Sequence, residues 1–332
     1  MSKKINDDIE LEYKKKFPFF ELLRDEAEFI LNRKIQKEKI KVHTIEKRIK
    51  DVKSLLRKCD RQTDTEKVSN FDPFIQIKDI VGLRIICLFR EDINKIEEFV
   101  KKEFDVVSYE DKVNQSTDSF GYMSVHFILQ LKKELNGARY DDIKNIQFEL
   151  QIRTISMHAW AVISHFIDYK SDADVPSHLK KSLNALSALF YVADTQFENF
   201  IKDRKAALIE LENKSPEKLS QQEINLDSLN TFLNIQFSKR INPNNHPSQS
   251  ELVEELKRAG YNTIQEVHAD LERGKKAFEK YEKEHPPAND SKFAAVGVVR
   301  VTLSIVNPKF RETRNKSDTR KNLYQQYEEY IT

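Results

Sequence analysis

The chain has 332 residues, of which 39% are hydrophobic and 33% charged, and its formal net charge is +2. The length predicts about two domains, and the high share of charged residues favours helices with solvated faces. The longest apolar run, IVGLRIICLF, contains Arg84 and is far shorter than the ~20 residues that cross a bilayer. The amino-terminal segment has no apolar core, which excludes a signal peptide. Only Cys59 and Cys87 are present, too few for a disulfide framework or a thiolate zinc site. We therefore expect a cytoplasmic protein without a membrane partner.

The first predicted element is a helix over about 8–41, in which apolar residues recur at spacings of three and four. A short extended piece over 47–50 follows. A second helix is predicted over 51–58, where Asp51 is a suitable N-cap because its side chain can accept from the free backbone N–H groups of the first turn.

Between residues 45 and 155 the pattern changes to strands with intervening helices. The apolar strand IVGLRIICLF is followed by a helix, EDINKIEEFVKKEF, and a second strand, DVVSYED. This order is typical of βαβ or split-β arrangements. Two further strands are predicted from MSVHFILQL and IQFELQIR. The segment therefore predicts four or five strands with helices between and around them.

After Ser171 the pattern is almost entirely helical. The polar stretch SKRINPNNHPSQS ends the first helical part, a helix–turn–helix pattern around Gly260 follows, and HPPAND precedes a last apolar segment, FAAVGVVRVTLSIV. We predict three regions: an amino-terminal helical segment (1–40), a central domain (41–212) and a mostly helical C-terminal regulatory or oligomerisation region (213–332).

Polar residues recur on single faces of three predicted strands, since side chains two residues apart in a strand share a face. If these strands are neighbours in one sheet, the carboxylates of Asp79 and Glu149 lie in a common groove. The residues concerned are Lys78, Asp79 and Arg84 at the first strand, Tyr122, Ser124 and His126 at the second, and Glu149, Gln151 and Arg153 at the third.

Two carboxylates among cations suit phosphoryl transfer. Mg²⁺ prefers one or two carboxylates together with phosphate oxygens, and a carboxylate can also act as general base for an attacking hydroxyl. The segment RIKDVKSLLRK can hold the phosphates: Ser54 and Lys58 share a helix face, and Arg48 and Lys50 precede the helix amino terminus, which itself favours anions.

A purely structural interpretation stands beside this one. Asp79 and Arg84 could form a simple ion pair at a sheet edge, and basic helices are usually solvated surface. Histidine ligation of a metal is disfavoured, because no HExxH-type spacing accompanies His126, His158 or His165.

Four segments together resemble, in order and spacing, the synthetase domain of the RelA/SpoT family, whose small members include the small alarmone synthetases. These segments are RIKDVKSLLRK, KDIVGLRIICLFREDI, GYMSVH and FELQIRTISMHAWAVISHFIDYK. The resemblance covers roughly residues 40 to 200. It implies an α+β fold of the nucleotidyltransferase (polymerase-β-like) type, a mixed sheet flanked by helices, to which a mostly helical C-terminal extension is added. It also implies transfer of the β,γ-pyrophosphate of ATP to the 3′-hydroxyl of an acceptor.

The resemblance also implies roles for individual residues. Asp79 and Glu149 match the two Mg²⁺-binding catalytic carboxylates, the second of which can deprotonate the 3′-hydroxyl. The residues that match the ATP site are Arg48, Lys50, Ser54, Lys58 and Arg84, and those assigned to the acceptor side are Tyr122, His126, Gln151, Arg153, His165 and Lys170.

The acceptor remains open at this level. Ser164 stands where relatives carry an acidic residue, and the loop KVNQSTDSF lacks the basic residue that alarmone-making relatives place near the Gly-Tyr pair. The first hypothesis is synthesis of (p)ppGpp from GDP or GTP. The alternatives are a toxin that pyrophosphorylates the tRNA 3′ end, restrained by its C-terminal region and acting in phage defence, and an inactive nucleotide-binding sensor. Further candidate partners are a second copy of the chain and a protein regulator that acts on the C-terminal region.

Overall fold

A computed structural model describes residues 3–65, 71–111, 124–166, 176–214, 216–240, 246–287, 292–314 and 318–332. The chain forms two compact units, Met1–Ile201 and Lys202–Thr332. Each unit has apolar clusters of its own. The domain boundaries predicted after residues 40 and 212 stay predictions.

The first unit is built around a five-stranded sheet in the order β1-β2-β5-β4-β3. Only β2 and β5 are parallel, and the other three pairs are antiparallel. The predicted α+β class with a mixed sheet flanked by helices is therefore confirmed. The strands are β1 (Val42–Ile49), β2 (Val81–Cys87), β3 (Phe104–Asp111), β4 (Val125–Leu131) and β5 (Phe148–Thr154).

Helices flank this sheet. The long α1 and the amphipathic α4 contact it, and α5 follows β5 without a loop. The apolar run of β2 suits its interior position in the sheet, where every residue except Arg84 is buried. The helices are α1 (Lys3–Lys37), α2 (Val52–Thr65), α3 (Pro73–Gln76), α4 (Arg90–Glu103), α5 (Ile155–Phe166) and α6 (Ser177–Glu212), whose last turns belong to the second unit.

The amino-terminal part differs from the predicted boundaries. Helix α1 ends at Lys37, because Lys39 adopts a left-handed conformation with φ of 53° and turns the chain into β1. The extended piece predicted over 47–50 is the end of an eight-residue strand. As an edge strand with one mostly exposed face, β1 lacks the apolar alternation that would have revealed its full length. The N-cap prediction is confirmed, since Ser54 N donates to Asp51 Oδ1 at 2.9 Å.

The second unit is helical, as predicted for this part of the chain, and α12 lies at its centre. Val299, Leu303 and Ile305 on α12 are fully buried, and apolar clusters from the surrounding helices cover it on two sides. The segment FAAVGVVRVTLSIV therefore buries itself within its own chain. The helices are α7 (Pro216–Ser220), α8 (Leu226–Gln236), α9 (His246–Ala259), α10 (Ile264–Arg273), α11 (Lys275–Glu284), α12 (Ala295–Val306), α13 (Pro308–Arg314) and α14 (Asp318–Gln325).

The predicted turn at Gly260 joins α9 and α10, with φ of 97° at the glycine. The backbone N–H groups of this turn donate within the protein. Two of them, at Asn262 and Thr263, donate to the Glu266 carboxylate at 2.6 and 3.1 Å. Among the described residues, no helix has the length and apolar character needed to cross a membrane.

An ion pair joins three segments of the second unit. The Arg240 guanidinium donates to both oxygens of Glu282, at 2.5 and 2.9 Å, and to the carbonyl of Phe293. The Phe293 N–H in turn donates to Glu282 Oε1. The hydrogen bonds from Arg240 lower the pKa of Glu282 from its ordinary 4.5, although burial opposes the shift.

We expect Glu282→Gln to lower the free energy of unfolding by about 1.5–3 kcal/mol near neutral pH, the range for hydrogen bonds to charged groups. Because the folded pKa of Glu282 lies below 4.5, its contribution is complete above that pH and is lost as the pH falls through the folded value. The difference between wild type and variant should therefore narrow below about pH 4.5. Urea unfolding followed by circular dichroism tests this, with Glu279→Gln, an exposed change on the same helix, as control. A pH-independent difference would contradict the prediction.

Candidate active site

The strand register places polar residues from four strands on one face of the sheet. Residues paired in register point to the same face, and one row contains Arg48, Gly82 and Glu149. The next row contains Glu46, Arg84, Gln151 and His126. Because β5 lies between β2 and β4, the three strands that carry the predicted residues are neighbours. Residues of β1, β2 and β5 line a cavity of about 240 Å³, whose polar walls are Glu46, Lys47, Arg48, Arg84, Glu149 and Gln151.

Asp79 lies in the turn that leads into β2 and is held by two lysines. Lys50 Nζ donates to its Oδ2 and Lys58 Nζ to its Oδ1, each at 2.9 Å. Burial raises the pKa of the Asp79 carboxyl, but the two ammonium groups outweigh it and hold the pKa below its ordinary value. The carboxylate is therefore ionised near neutral pH.

Glu149 projects from β5 and is oriented by a histidine. His126 Nδ1 lies 3.1 Å from Glu149 Oε1 and donates to it, because an ionised carboxylate only accepts. On the other side of the ring, Ser124 Oγ lies 2.6 Å from His126 Nε2. Burial raises the pKa of Glu149, but hydrogen bonds from His126 and Gln151 bring it below its ordinary value. The Asp79 carboxylate acts on this pKa as well and raises it, so the two carboxylates are within electrostatic reach of each other.

Arg84 connects the neighbouring strands. Its Nε donates to Gln151 Oε1 at 3.2 Å and its Nη1 to Glu46 Oε2 at 2.8 Å. Glu46 was not among the predicted site residues, because its strand was predicted to begin one residue later, at Lys47. A full strand over VHTIEKRI would have placed Glu46 on the same face as Arg48.

Several other residues predicted for the site do not line the cavity or lie outside the described residues. Arg153 is only 2% exposed and does not line the cavity. Burial and the positive charges of Arg84 and Arg48 lower its pKa to about 9, which leaves it protonated near neutral pH. Ser54 lies in the first turn of α2, where its Oγ accepts from Arg57. Tyr122, Lys170 and the side chain of His165 lie outside the described residues.

The two carboxylates fit a magnesium ion. Both are ionised and within electrostatic reach of each other, and carboxylate oxygens are the protein ligands that Mg²⁺ prefers. Within the described ranges, no group of three or more His, Cys, Asp or Glu side chains is arranged to hold a metal. A magnesium ion held by Asp79 and Glu149 would therefore need substrate and water oxygens to complete its coordination.

Gly82 gives the Arg48 side chain room to cross β2. A Cβ at position 82 would lie 3.3 Å from Arg48 Nε and 3.5 Å from its Cγ. We expect Gly82→Ala to fold and to displace the guanidinium, at a cost of about 0.5–1.5 kcal/mol for an unfavourable rotamer. If Arg48 contacts ATP, affinity for a non-hydrolysable ATP analogue should fall about 2- to 10-fold in calorimetric titration. Unchanged affinity for the analogue would show that Arg48 does not contact ATP.

The chain is similar to one protein family and to several known proteins. The family described as "Region found in RelA / SpoT proteins" matches residues 47–174, which include every predicted site residue. GTP pyrophosphokinase YwaC of Bacillus subtilis is 30% identical over 158 residues, or 47% of this chain and 72% of that protein. GTP pyrophosphokinase YjbM of the same organism is 33% identical over 142 residues, or 42% of this chain. The match spans 63% of YjbM, less than two thirds of its length.

A crystal structure of small alarmone synthetase 1 from Bacillus subtilis is similar with a TM-score of 0.48 and 24% identity, over 59% of this chain and 98% of that one. The family match over residues 47–174 includes both carboxylates and the basic residues of the candidate site. On these matches, the chain belongs to the RelA/SpoT family.

Proposed function

We propose that this protein is a pyrophosphokinase that transfers the β,γ-pyrophosphate of ATP to the 3′-hydroxyl of GDP or GTP. The observation that supports the proposal is that two ionised carboxylates, Glu149 on the sheet face and Asp79 in the turn before β2, lie within electrostatic reach of each other and among cations. Phosphoryl transfer depends on positioning and on neutralising the charge that develops on the phosphates. The cations available for this role are Arg48, Lys50, Lys58 and Arg84.

In the proposed reaction, the acceptor 3′-oxygen attacks the β-phosphorus of ATP, the bond between that phosphorus and the α,β-bridging oxygen breaks, and AMP leaves. Glu149, oriented by His126, accepts the proton of the 3′-hydroxyl. The lysines and arginines hold the phosphates. Mg²⁺ at Asp79 and Glu149 would neutralise phosphate charge and orient the donor.

Guanine nucleotides are the acceptors we favour. Both curated relatives described above are named GTP pyrophosphokinase. An inactive sensor is the weaker alternative, because the chain carries both carboxylates and the basic residues that match the ATP site. Transfer to the tRNA 3′ end uses the same chemistry with another acceptor, and the assay below separates the two.

The test is a transfer assay with ATP labelled at its γ-phosphate, Mg²⁺, and parallel lanes of GDP, GTP, adenine nucleotides and deacylated tRNA. Label in GDP or GTP supports the proposal, and label in tRNA alone overturns the acceptor assignment. If the full chain transfers label to none of the acceptors, a chain ending at residue 214 is assayed. Transfer by this shorter chain alone indicates restraint by the second unit, and no transfer by either chain favours the inactive sensor. Glu149→Gln serves as the inactive control.

A further inference from the structure

The Asp79 carboxylate is already neutralised by lysines. Each of its oxygens accepts a hydrogen bond from one ammonium group, from Lys50 or from Lys58, at 2.9 Å. The Asp79 and Lys50 side chains are 18% and 13% exposed, so water screens this pair poorly. The carboxylate and the two ammonium groups together carry a net charge of +1.

This arrangement opposes a lone divalent cation. A magnesium ion bound to Asp79 with both lysines in place would lie within a few ångströms of two ammonium groups, where repulsion between partly buried charges is strong. The ion therefore has to displace at least one lysine from the carboxylate. A displaced lysine that stays near the site needs another anion to accept its hydrogen bonds.

The side chains of the two lysines can move, while their backbones are fixed. Lys50 N donates to Ile80 O at 2.8 Å, and Lys50 O accepts from Tyr13 Oη at 2.8 Å. Lys58 belongs to α2, whose first turn is capped by Asp51. Only the flexible four-carbon stems are free to redirect the ammonium groups.

We propose that Lys50 and Lys58 exchange partners during binding: they leave Asp79 for the phosphates of the nucleotide as the metal ion takes the carboxylate. This inference rests on the proposed function, because the incoming anion is the triphosphate of ATP. Its consequence is that metal and nucleotide bind with strong positive coupling. The metal ion alone or the nucleotide alone encounters a site in which Asp79 and the two lysines are already paired. By thermodynamic reciprocity, each ligand increases the affinity of the protein for the other by the same factor.

The test measures Mn²⁺ binding, as a substitute for Mg²⁺, from the electron paramagnetic resonance signal of the free ion. Titrations are made with and without a non-hydrolysable ATP analogue. For the wild type we expect the affinity of the protein for Mn²⁺, after subtraction of the Mn²⁺ that the analogue binds in protein-free samples, to rise at least 10-fold when the analogue is present. In the double variant Lys50→Met/Lys58→Met, affinity for Mn²⁺ alone should rise at least 10-fold while the effect of the analogue shrinks.

Lys58→Met alone should give an intermediate Mn²⁺ affinity, and it keeps the test valid if the double variant does not fold. Lys53→Met, an exposed change on the same helix, should behave as wild type. The proposal is overturned if wild type binds Mn²⁺ equally with and without the analogue, if removing the lysines leaves affinity for Mn²⁺ alone unchanged, or if no sample binds Mn²⁺. Because the readout is binding, it can fail while the transfer assay succeeds, and the reverse is also true.

Discussion

Glu149→Gln should abolish pyrophosphate transfer without unfolding the protein. The substitution keeps the size of the side chain and an oxygen that can accept from His126 Nδ1, but it removes the charge that can take up the 3′-hydroxyl proton. Loss of a general base costs about 10²–10⁴-fold in kcat. Initial rates in the labelled transfer assay measure the effect.

The fold of this variant can be followed through the single tryptophan of the chain. Trp160 lies in α5, directly after β5, and is 5% exposed, so its fluorescence reports on the first unit. Glu134→Gln, an exposed carboxylate in the segment between β4 and β5, is the matched control and should retain full activity. A Glu149→Gln protein with more than about a tenth of wild-type kcat would show that Glu149 is not the base.

Asp79→Asn should combine loss of activity with a loss of stability. The change removes one of the two predicted metal ligands and leaves Lys50 and Lys58 without their shared counter-charge. We expect turnover to fall by about 10²–10³-fold, as when one preorganised charge-stabilising group is lost. The free energy of unfolding of the first unit should fall by about 1–3 kcal/mol, because Lys50 is nearly buried.

The stability of Asp79→Asn is measured by urea unfolding followed through Trp160 fluorescence, and its activity by the transfer assay. Asp142→Asn, an exposed change in the segment before β5, serves as control. Activity within about twofold of wild type would exclude Asp79 as a catalytic ligand. Full stability with lost activity would show that the two ion pairs contribute little to folding.

The elements with strong apolar patterns could be predicted from the sequence. The strands β2, β4 and β5 were placed correctly because their apolar residues leave little choice of conformation. Strand β1 was shortened because its exposed residues, among them Glu46, do not alternate with apolar ones. The conformation of FAAVGVVRVTLSIV could not be assigned, since an apolar run of this length suits a buried strand and a buried helix equally.

Within the site, residue types could be predicted but contacts could not. Period-two spacing placed Glu149 and Gln151 on one strand face, and the structure pairs that strand with those of Arg84 and His126. Nothing in the spacing indicates that Lys50 and Lys58 meet Asp79. That contact depends on the register between β1 and β2 and on the direction in which α2 leaves β1, both of which are tertiary features.

The parallel pairing of β2 with β5 also affects how the protein folds. Arg84 and Gln151, which are hydrogen-bonded partners in this pair, are separated by 67 positions in the chain. Strand β5 is the last of the five in sequence and lies between β2 and β4. A contact this distant in sequence forms slowly, and on the ribosome it cannot form until β5 has left the exit tunnel. Glu149 therefore joins the sheet only when β5 does, and on the proposed mechanism a nascent chain that lacks β5 cannot transfer pyrophosphate.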